Sequence, residues 1–541
     1  MLSKIKILFF IFFFLNLSLN SLAQEYDIEE ANELLTSKSY MEAIPVFKKL
    51  LSVENSANLN YKLGLCYFNL NKEIESIPYF EEAIKDVYKK YSITNTSLLY
   101  APIDAYYYLG KAQHVNGNLS LAFDFYNLFY LTSKKRNPLK HKSYIGILQC
   151  EVANRQRKNV TTDIIWSLGN MINTNLEEAS PVISLDGGTI YFTSSRIRKD
   201  NSNRLFIDPN TGTYFKDIYT SNQTETGDWT EPEILSICKP NQNESPSSIS
   251  PNGNQLLINS GDFSKNNIYK STIYGSKLSE SSPFPAKYLN TNRNDIDASI
   301  SFNEESLYFS SDRKGGFGGF DIYRLRKLPD GTWSKPINLG EKINSKNDEI
   351  SPFIALDNKT LYFSSNGASS MGGFDIFVSQ VNAINEWLEP KNMGIPINST
   401  DDDLSYSTIV NGTKGIYSSD RKENTNYDIY FAQSSTSFYQ NVAILKGKIK
   451  TSNGSLLPKG ITIIVEDLTD STKIQSFKPR LKDGGYILNL KPCHKYLINY
   501  TYNEKSFFKS KQFISCNSSY QEIHKVVILD VINLTPLITK D

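Results

Sequence analysis

Five acidic residues, Glu178, Glu244, Asp295, Glu349 and Asp403, fall at one position of five copies of a repeated unit, and Arg196, Arg313 and Arg421 belong to three of those copies. Carboxylates gathered this way can do three kinds of work. A pair facing one pocket about 5–9 Å apart supplies the acid and base of glycoside hydrolysis, one of the two carrying a raised pKa. Alternatively, each acid accepts backbone N–H groups or pairs with an arginine and fastens neighbouring units, and a group repeated in every copy serves the fold more often than a single asymmetric site. If the acids and arginines stand on one exposed rim, that rim would take a protein, a glycan or a cation.

Other chemistry is poorly supplied. The four histidines, His114, His141, His494 and His524, all lie outside the repeats, and no Gly-x-Ser-x-Gly elbow occurs. Cys493-His494 are adjacent, which is not a useful zinc-ligand spacing. The run Asp401-Asp402-Asp403 offers hard oxygens, but without the spaced ligands and closing glutamate of a calcium loop. No catalytic residue, metal or cofactor is expected, and the chain reads as a protein that is not an enzyme.

The unit that must position the acids is clearest from Trp333 through Lys335-Pro336-Ile337-Asn338-Leu339-Gly340, Asn344, Glu349, Ser351-Pro352, Leu361-Tyr362-Phe363-Ser364-Ser365 and Gly372-Gly373-Phe374-Asp375-Ile376-Phe377. Its aromatic slot holds Trp166, Trp229, Phe284, Trp333 and Trp387, at intervals of 63, 55, 49 and 54 residues. Four short strands fit each interval, and sheets with two apolar faces are stable only when stacked around a ring, so the period predicts a β-propeller. Ile164 to Gly169 precede the first unit, whereas nothing like them follows Tyr427-Asp428-Ile429-Tyr430. The N-terminal strand is therefore expected to complete the last blade, tying residue 165 to residue 430. That closure favours five blades; the alternative is a sixth, built from degenerate segments. A second repeated acid, at Asp217, Asp321, Asp375 and Asp428 with Asn267 in the weak copy, reads as a hydrogen-bond acceptor locking a turn or blade.

The flanks differ in pattern. With 58 basic and 57 acidic residues, the net charge of +1 leaves no electrostatic footprint for nucleic acid. Lys4 and Lys6, the apolar run from Ile7 to Leu15 and Ser21-Leu22-Ala23 have the form of a signal peptide, residues 1–23. No integral membrane segment is expected after its removal, and no Cys follows the cut to take a lipid. Residues 24–158 read as helices, 159–437 as the propeller, and 438–541 as a small antiparallel β-sandwich with a C-terminal tail. Arg155 to Lys158 are expected as a polar hinge, and Lys89 to Pro102 as a loop thrown out from the helices. Cys493 and Cys516 have two open readings, a disulfide or two buried thiols. Tyr61, Tyr67, Tyr106, Tyr107 and Tyr108 crowd the helical region and are expected mainly to pack between helices.

The pair Ala43-Ile44-Pro45-Val46-Phe47 and Ser76-Ile77-Pro78-Tyr79-Phe80, 33 residues apart, with Leu63-Gly64-Leu65-Cys66-Tyr67 and Leu109-Gly110, resembles tetratricopeptide repeats. The resemblance implies an α-solenoid of three helix pairs and a final helix from about Leu139 to Asn154, with small residues where helices cross. Lys446-Gly447-Lys448, Asn453-Gly454, Leu457-Pro458 and Gly485-Tyr486 resemble a carboxypeptidase regulatory-like domain. Signal peptide, tetratricopeptide repeats, WD40-like propeller of the Tol-associated type and regulatory-like sandwich, in that order, are similar to Gram-negative envelope proteins, among them the peptidoglycan anchor of type IX secretion. The resemblance implies a periplasmic location beside the outer membrane and partners among envelope or secretion-system proteins. In that family an OmpA-like domain follows the sandwich; none is expected before Asp541, which puts peptidoglycan binding in doubt. The competing reading is a carbohydrate-binding or carbohydrate-cleaving propeller.

Overall fold

The apolar middle run of each repeat becomes the second strand of an antiparallel sheet. In Ser306–Ser311 and Thr360–Ser365 all six residues are buried, as expected for a sheet covered on both faces. The computed structural model describes residues 27–88, 91, 99–208, 211–262, 265–274, 277–410, 412–421, 426–434, 443–470, 474–516 and 521–530. The expected signal peptide lies outside these residues, as does the chain after residue 530. The described chain is mostly β, with largely antiparallel sheets following seven helical segments.

Five sheets form around the repeats. Sheet 1 contains Glu178–Ile183, Thr189–Ser194, Asp217–Asn222 and Glu233–Ile234; sheet 2 contains Asn243–Ile249, Gln255–Asp262, Lys265–Tyr274, Lys277–Leu278 and Ser282–Pro283. Sheet 3 contains Asp295–Ile300, Ser306–Ser311, Asp321–Arg326 and Ile337–Asn338; sheet 4 contains Glu349–Ile354, Thr360–Ser365, Asp375–Gln380 and Lys391–Asn392. Sheet 5 contains Asp403–Thr408, Lys414–Ser419, Asp428–Gln433 and, as its outermost strand, Ile164–Ser167. The expected closure is therefore present, with Ile165 opposite Ala432 and Ser167 opposite Tyr430. First strands touch in the order sheet 1 to 2, 2 to 3, 3 to 4, 4 to 5 and 5 to 1, so the five form a closed ring with first strands innermost.

Before the ring, a helical stretch at 27–36 (α1) leads to α2 (Tyr40–Val53), α3 (Ala57–Asn69), α4 (Glu73–Ala83), α5 (Asp104–Val115), α6 (Leu119–Thr132) and α7 (Leu139–Lys158). From α2 onward each helix packs on the next, and α3 also meets α5 and α5 meets α7. The hinge expected at Arg155 to Lys158 is instead the last turn of α7: these residues favour helix, and their positive charge suits its C-terminal dipole. The segment expected to loop out at Lys89 to Pro102 is tied down where it is described. Val87–Tyr88 pairs in parallel with Ala101–Pro102. Tyr91 turns back against Tyr61, its hydroxyl donating to Asn58 Oδ1 at 2.7 Å.

After the ring, Ala443–Thr451, Gly485–Leu490 and Gln521–Leu529 form one sheet, and Ile461–Asp467, Ile474–Phe477, Lys495–Tyr502 and Lys505–Phe513 the other. Ile463, Leu488, Ile498 and Tyr500 are buried between them. The expectation of a purely antiparallel sandwich is corrected: Gln521–Leu529 runs parallel to Ala443–Thr451, an edge that short-range alternation cannot orient. Cys493 and Cys516 are disulfide-bonded, which decides between the two readings left open for them.

Gly64 sits in α3 where a Cβ would stand 2.8 Å from Cε1 of the fully buried Phe80. In an open helix, Gly→Ala stabilises by about 1 kcal/mol. Overpacking costs about 1–3 kcal/mol and reverses that sign here. Gly64→Ala is expected to lower the urea midpoint of unfolding, whereas an unchanged or raised midpoint would show that the helices do not cross this closely.

Candidate functional site

Four first strands start at their acid and the fifth one residue before it, at Asn243; the loop between second and third strands opens at the same end, so acids and arginines meet there. Arg196 Nη2 lies 3.1 Å from Glu178 Oε1, Arg313 Nη2 2.6 Å from Asp295 Oδ1, and Arg421 Nη2 2.6 Å from Asp403 Oδ1. The guanidinium groups also lie over rings of their own sheets: Arg196 over Tyr219 at 4.9 Å, Arg313 over Phe309 at 4.8 Å and Arg421 over Tyr430 at 5.1 Å.

The acids do not form an exposed rim. Glu178, Asp295 and Asp403 are 0% exposed, Glu349 1% and Glu244 5%. Glu178 accepts from Thr174 N–H, Thr174 Oγ1 and Ser194 Oγ; Asp295 from Thr291 N–H and Ser311 Oγ; Asp403 from Ser399 N–H and Oγ. Glu349 is held by Ser345 N–H and Oγ and by Ser365 Oγ, and Gly367 stands where three other copies have arginine. Burial raises the pKa of Glu178, Glu349 and Asp403 against the pull of these donors. Four of the five carboxylates, Glu178, Asp295, Glu349 and Asp403, are thus locked by hydrogen bonds within their own copies and are not a pair facing one pocket. The second acid series locks turns: Asp321 accepts from Phe317 N–H, Gly318 N–H and Asn338 Nδ2, Asp375 from Met371 N–H and Asn392 Nδ2, and Asp217 takes the fork of Arg198.

A third series was not given a role from sequence. Asn344 Oδ1 accepts from Ile322 N–H at 2.8 Å while its Nδ2 donates to Ile322 O at 3.0 Å. Asn398 does the same with Ile376, Asn290 with Ile268 and Asn173 with Ile429. Each amide thereby mimics a strand residue and clips the connection between sheets onto the third strand of the preceding sheet. The available signal was an Asn five residues before the acid in four copies.

The ring's centre is a second candidate. Each first strand carries a bulge, with positive φ at Ser180, Asp297, Ser351 and Ser405. These residues line a narrow channel of about 50 Å³ with Pro181, Pro246 and Pro352. Asp297 is the acid among the serines, yet it too is engaged, by Asn259 Nδ2 at 2.7 Å and Ser351 Oγ at 3.0 Å. The space suits a few waters and not a sugar ring.

Both ends of the ring are partly covered. The helices sit over sheets 4 and 5 at the end where the acids start. There His114 Nε2 donates to Met371 O at 2.8 Å, Gln149 Nε2 donates to Asn366 O at 3.1 Å, and Thr161 N–H reaches Ile395 O at 2.8 Å. Lys111 and Glu73 face Asp401, Asp402 and Asp420 around a cavity of about 90 Å³. Burial, then repulsion from Asp403, pushes Asp401 up to about 7. Burial opposes the charged form of Lys111, but the neighbouring carboxylates outweigh it and hold its pKa above the usual value. At the opposite end the sandwich docks: Arg480 pairs with Asp186, Asn254 Nδ2 donates to Pro479 O, and Asn489 Nδ2 donates to Leu356 O. Among the helical tyrosines, Tyr61 is 4% exposed against Tyr108 and Phe80, as the packing reading expects.

No family model matches the chain, and no curated protein sequence does. Solved structures with a detectable likeness include a protein from Agrobacterium tumefaciens assigned as a TolB, at 15% identity over 61% of this chain and 97% of its own, with a TM-score of 0.29. Another is α-L-arabinofuranosidase from Lactobacillus brevis, at 12% identity over 51% and 93%, TM-score 0.30. A third is Zg3597, a family 117 glycoside hydrolase of the marine bacterium Zobellia galactanivorans, at 11% identity over 51% and 90%, TM-score 0.34. Likeness at these scores carries no argument about chemistry.

Two outcomes follow from this geometry. Asn344→Ala strips the clip from Ile322 and is expected to cost about 2–3 kcal/mol in chemical denaturation, while a loss below about 0.5 kcal/mol would mean that the clips do not bear on stability. Asp401 has a folded pKa above its unfolded value of 3.8, so its ionisation costs stability, and that cost grows as pH rises from about 4 to about 7. Asp401→Asn should therefore gain on the wild type across that window and converge with it below. Parallel curves of thermal midpoint against pH would exclude the buried carboxylate as the cause.

Proposed function

We propose that this chain is a non-catalytic protein-binding scaffold of the Gram-negative cell envelope, working in type IX secretion or outer-membrane assembly at the periplasmic side of the outer membrane. In this reading the ring is a five-bladed β-propeller, the helices a tetratricopeptide-type solenoid and the C-terminal unit a regulatory-like sandwich. The observation that carries it is on α6. Ala122, Tyr126 and Phe129 face inward, while Leu121, Leu128 and Leu131 are 46%, 40% and 70% exposed along the other side of the helix. Three leucines on one helix face, held on a unit clamped to the ring, suit an apolar partner surface. Among the described residues, no helix is long and apolar enough to cross a membrane, so this stripe is not part of such a span.

The carbohydrate reading draws its support from the carboxylates, and four of the five are held by hydrogen bonds within their own copies. It would return if the protein bound glycan in the cavity between ring and sandwich that Tyr308, Trp387 and His494 line.

The test is affinity capture from crosslinked envelopes with the wild-type chain beside Leu121→Ser/Leu128→Ser/Leu131→Ser. The triple variant replaces exposed side chains and should keep the wild-type thermal midpoint within about 2 °C. Loss of one specific secretion or outer-membrane protein from the variant supports the scaffold. Capture of the same proteins by both chains, or of glycan alone, overturns it.

A further inference from the structure

The junction between sheets 1 and 2 departs from the other four, and its departures meet at one place. Where the other junctions use an Asn side chain, this one uses Cys238: Ile218 N–H donates to Sγ at 3.2 Å, and Sγ stands 3.8 Å from Ile218 O. Where the other four acids each receive a backbone N–H and at least one serine or threonine hydroxyl, Glu244 receives the N–H of Lys239 at 3.4 Å. Its Oε2 is buried without a hydrogen-bond partner, in a residue only 5% exposed. Beside them is Asp217, the third-strand acid of sheet 1. One ligand atom from each of Asp217, Cys238 and Glu244 lies within 4.8 Å of the other two.

We propose that Cys238, Glu244 and Asp217 form a divalent metal site of the zinc class at the junction of sheets 1 and 2. The donor set is one sulfur and two carboxylate oxygens, which suits a borderline-soft ion and disfavours calcium or magnesium. Zinc bonds of about 2.3 Å to sulfur and 2.0–2.2 Å to oxygen place neighbouring ligand atoms somewhat closer than the present outer limit, so the ligands must close by about 1 Å. Rotation of the Glu244 side chain, whose Oε2 is otherwise unsatisfied, supplies that movement. Water completes four-coordination.

The charges balance: deprotonated Glu244 and Cys238 offset the two positive charges of a divalent ion, and the protons they give up on binding leave to solvent. Arg198 stays paired with Asp217 through Nε at 2.8 Å and Nη2 at 2.5 Å, and the metal takes a remaining lone pair on that carboxylate. In the other junctions an amide bridges sheet to sheet through two hydrogen bonds; here the metal makes the bridge.

The test uses tag-free full-length chain, loaded with Zn²⁺ or Co²⁺ and dialysed. The wild type is expected to retain one metal per chain and, with cobalt, to show a sulfur-to-metal charge-transfer band. Cys238→Asn supplies the amide used at the other junctions, so it should fold but lose both the metal and the band. Glu244→Gln keeps the sulfur and should weaken binding by roughly tenfold or more; it also provides the test if Cys238→Asn does not fold. Cys66 and Cys150 are fully buried elsewhere, so a band that survives in Cys238→Asn would not come from this site. Retention of no metal by the wild type, or equal affinity in the wild type and both variants, overturns the proposal.

Discussion

Every junction in the ring has to solve the same problem. The chain leaves one sheet from its outer edge, returns to the innermost position of the next, and must satisfy backbone groups of the third strand that it passes. Four junctions solve this with an asparagine whose amide presents a donor and an acceptor to a single isoleucine, as Asn344 does to Ile322. A buried N–H or C=O left unpaired costs about 1–3 kcal/mol, so the clip fixes where one sheet ends and the next begins. The acids follow from it. Five residues after the asparagine, the carboxylate gathers the N–H and hydroxyl of the residue following that asparagine, as Glu349 does with Ser345, and so holds the turn that aims the amide. Asparagine, hydroxyl residue and acid are one device.

This device explains why four of the five repeated acids are buried and engaged inside the fold instead of standing on an exposed rim. A carboxylate that accepts three or four hydrogen bonds inside the fold has little left to offer a ligand. What distinguishes this protein from a bare ring lies in the additions: helices seated at one end over sheets 4 and 5, a sandwich at the other, and a leucine stripe on α6 facing away from both α6's own core and the ring contacts made by α5 and α7. Burial on both ends makes the three units neighbours in a fixed arrangement, with polar contacts such as His114 to Met371 O and Asn489 to Leu356 O spanning the boundaries.

Much of this was legible in the sequence because it repeats. The strand runs, the shared position of the five acids, the pairing of Glu178, Asp295 and Asp403 with arginines, and the closing role of Ile164 to Ser167 all follow from aligning copies. The clips were not, although Asn344 was visible in the unit: its partner Ile322 belongs to the preceding copy, 22 residues earlier, and alignment within a copy hides contacts between copies. Burial of the acids was equally hidden, since a polar residue beside a loop reads as exposed until the hydroxyls around it are placed. The run Arg155 to Lys158 was misread for the opposite reason, because charge suggested a hinge where side chains of high helix propensity continue α7. The parallel edge of the sandwich depends on a pairing between residues more than 70 positions apart, beyond any local pattern.

The outer strand of sheet 5 comes from the start of the ring and its other three strands from the end, so Ile164 pairs with Gln433 across nearly the whole array. A ribosome delivers Ile164 to Ser167 long before their partners exist. Until Asp428–Gln433 emerges, that strand has no ladder to join and sheet 1 has no neighbour on one side. The helices, made earlier and rich in local contacts, can condense first, whereas the ring must wait for a pairing of very high sequence separation. Its birth is a single late event, and a chain released before that point carries an open strand edge in search of another molecule.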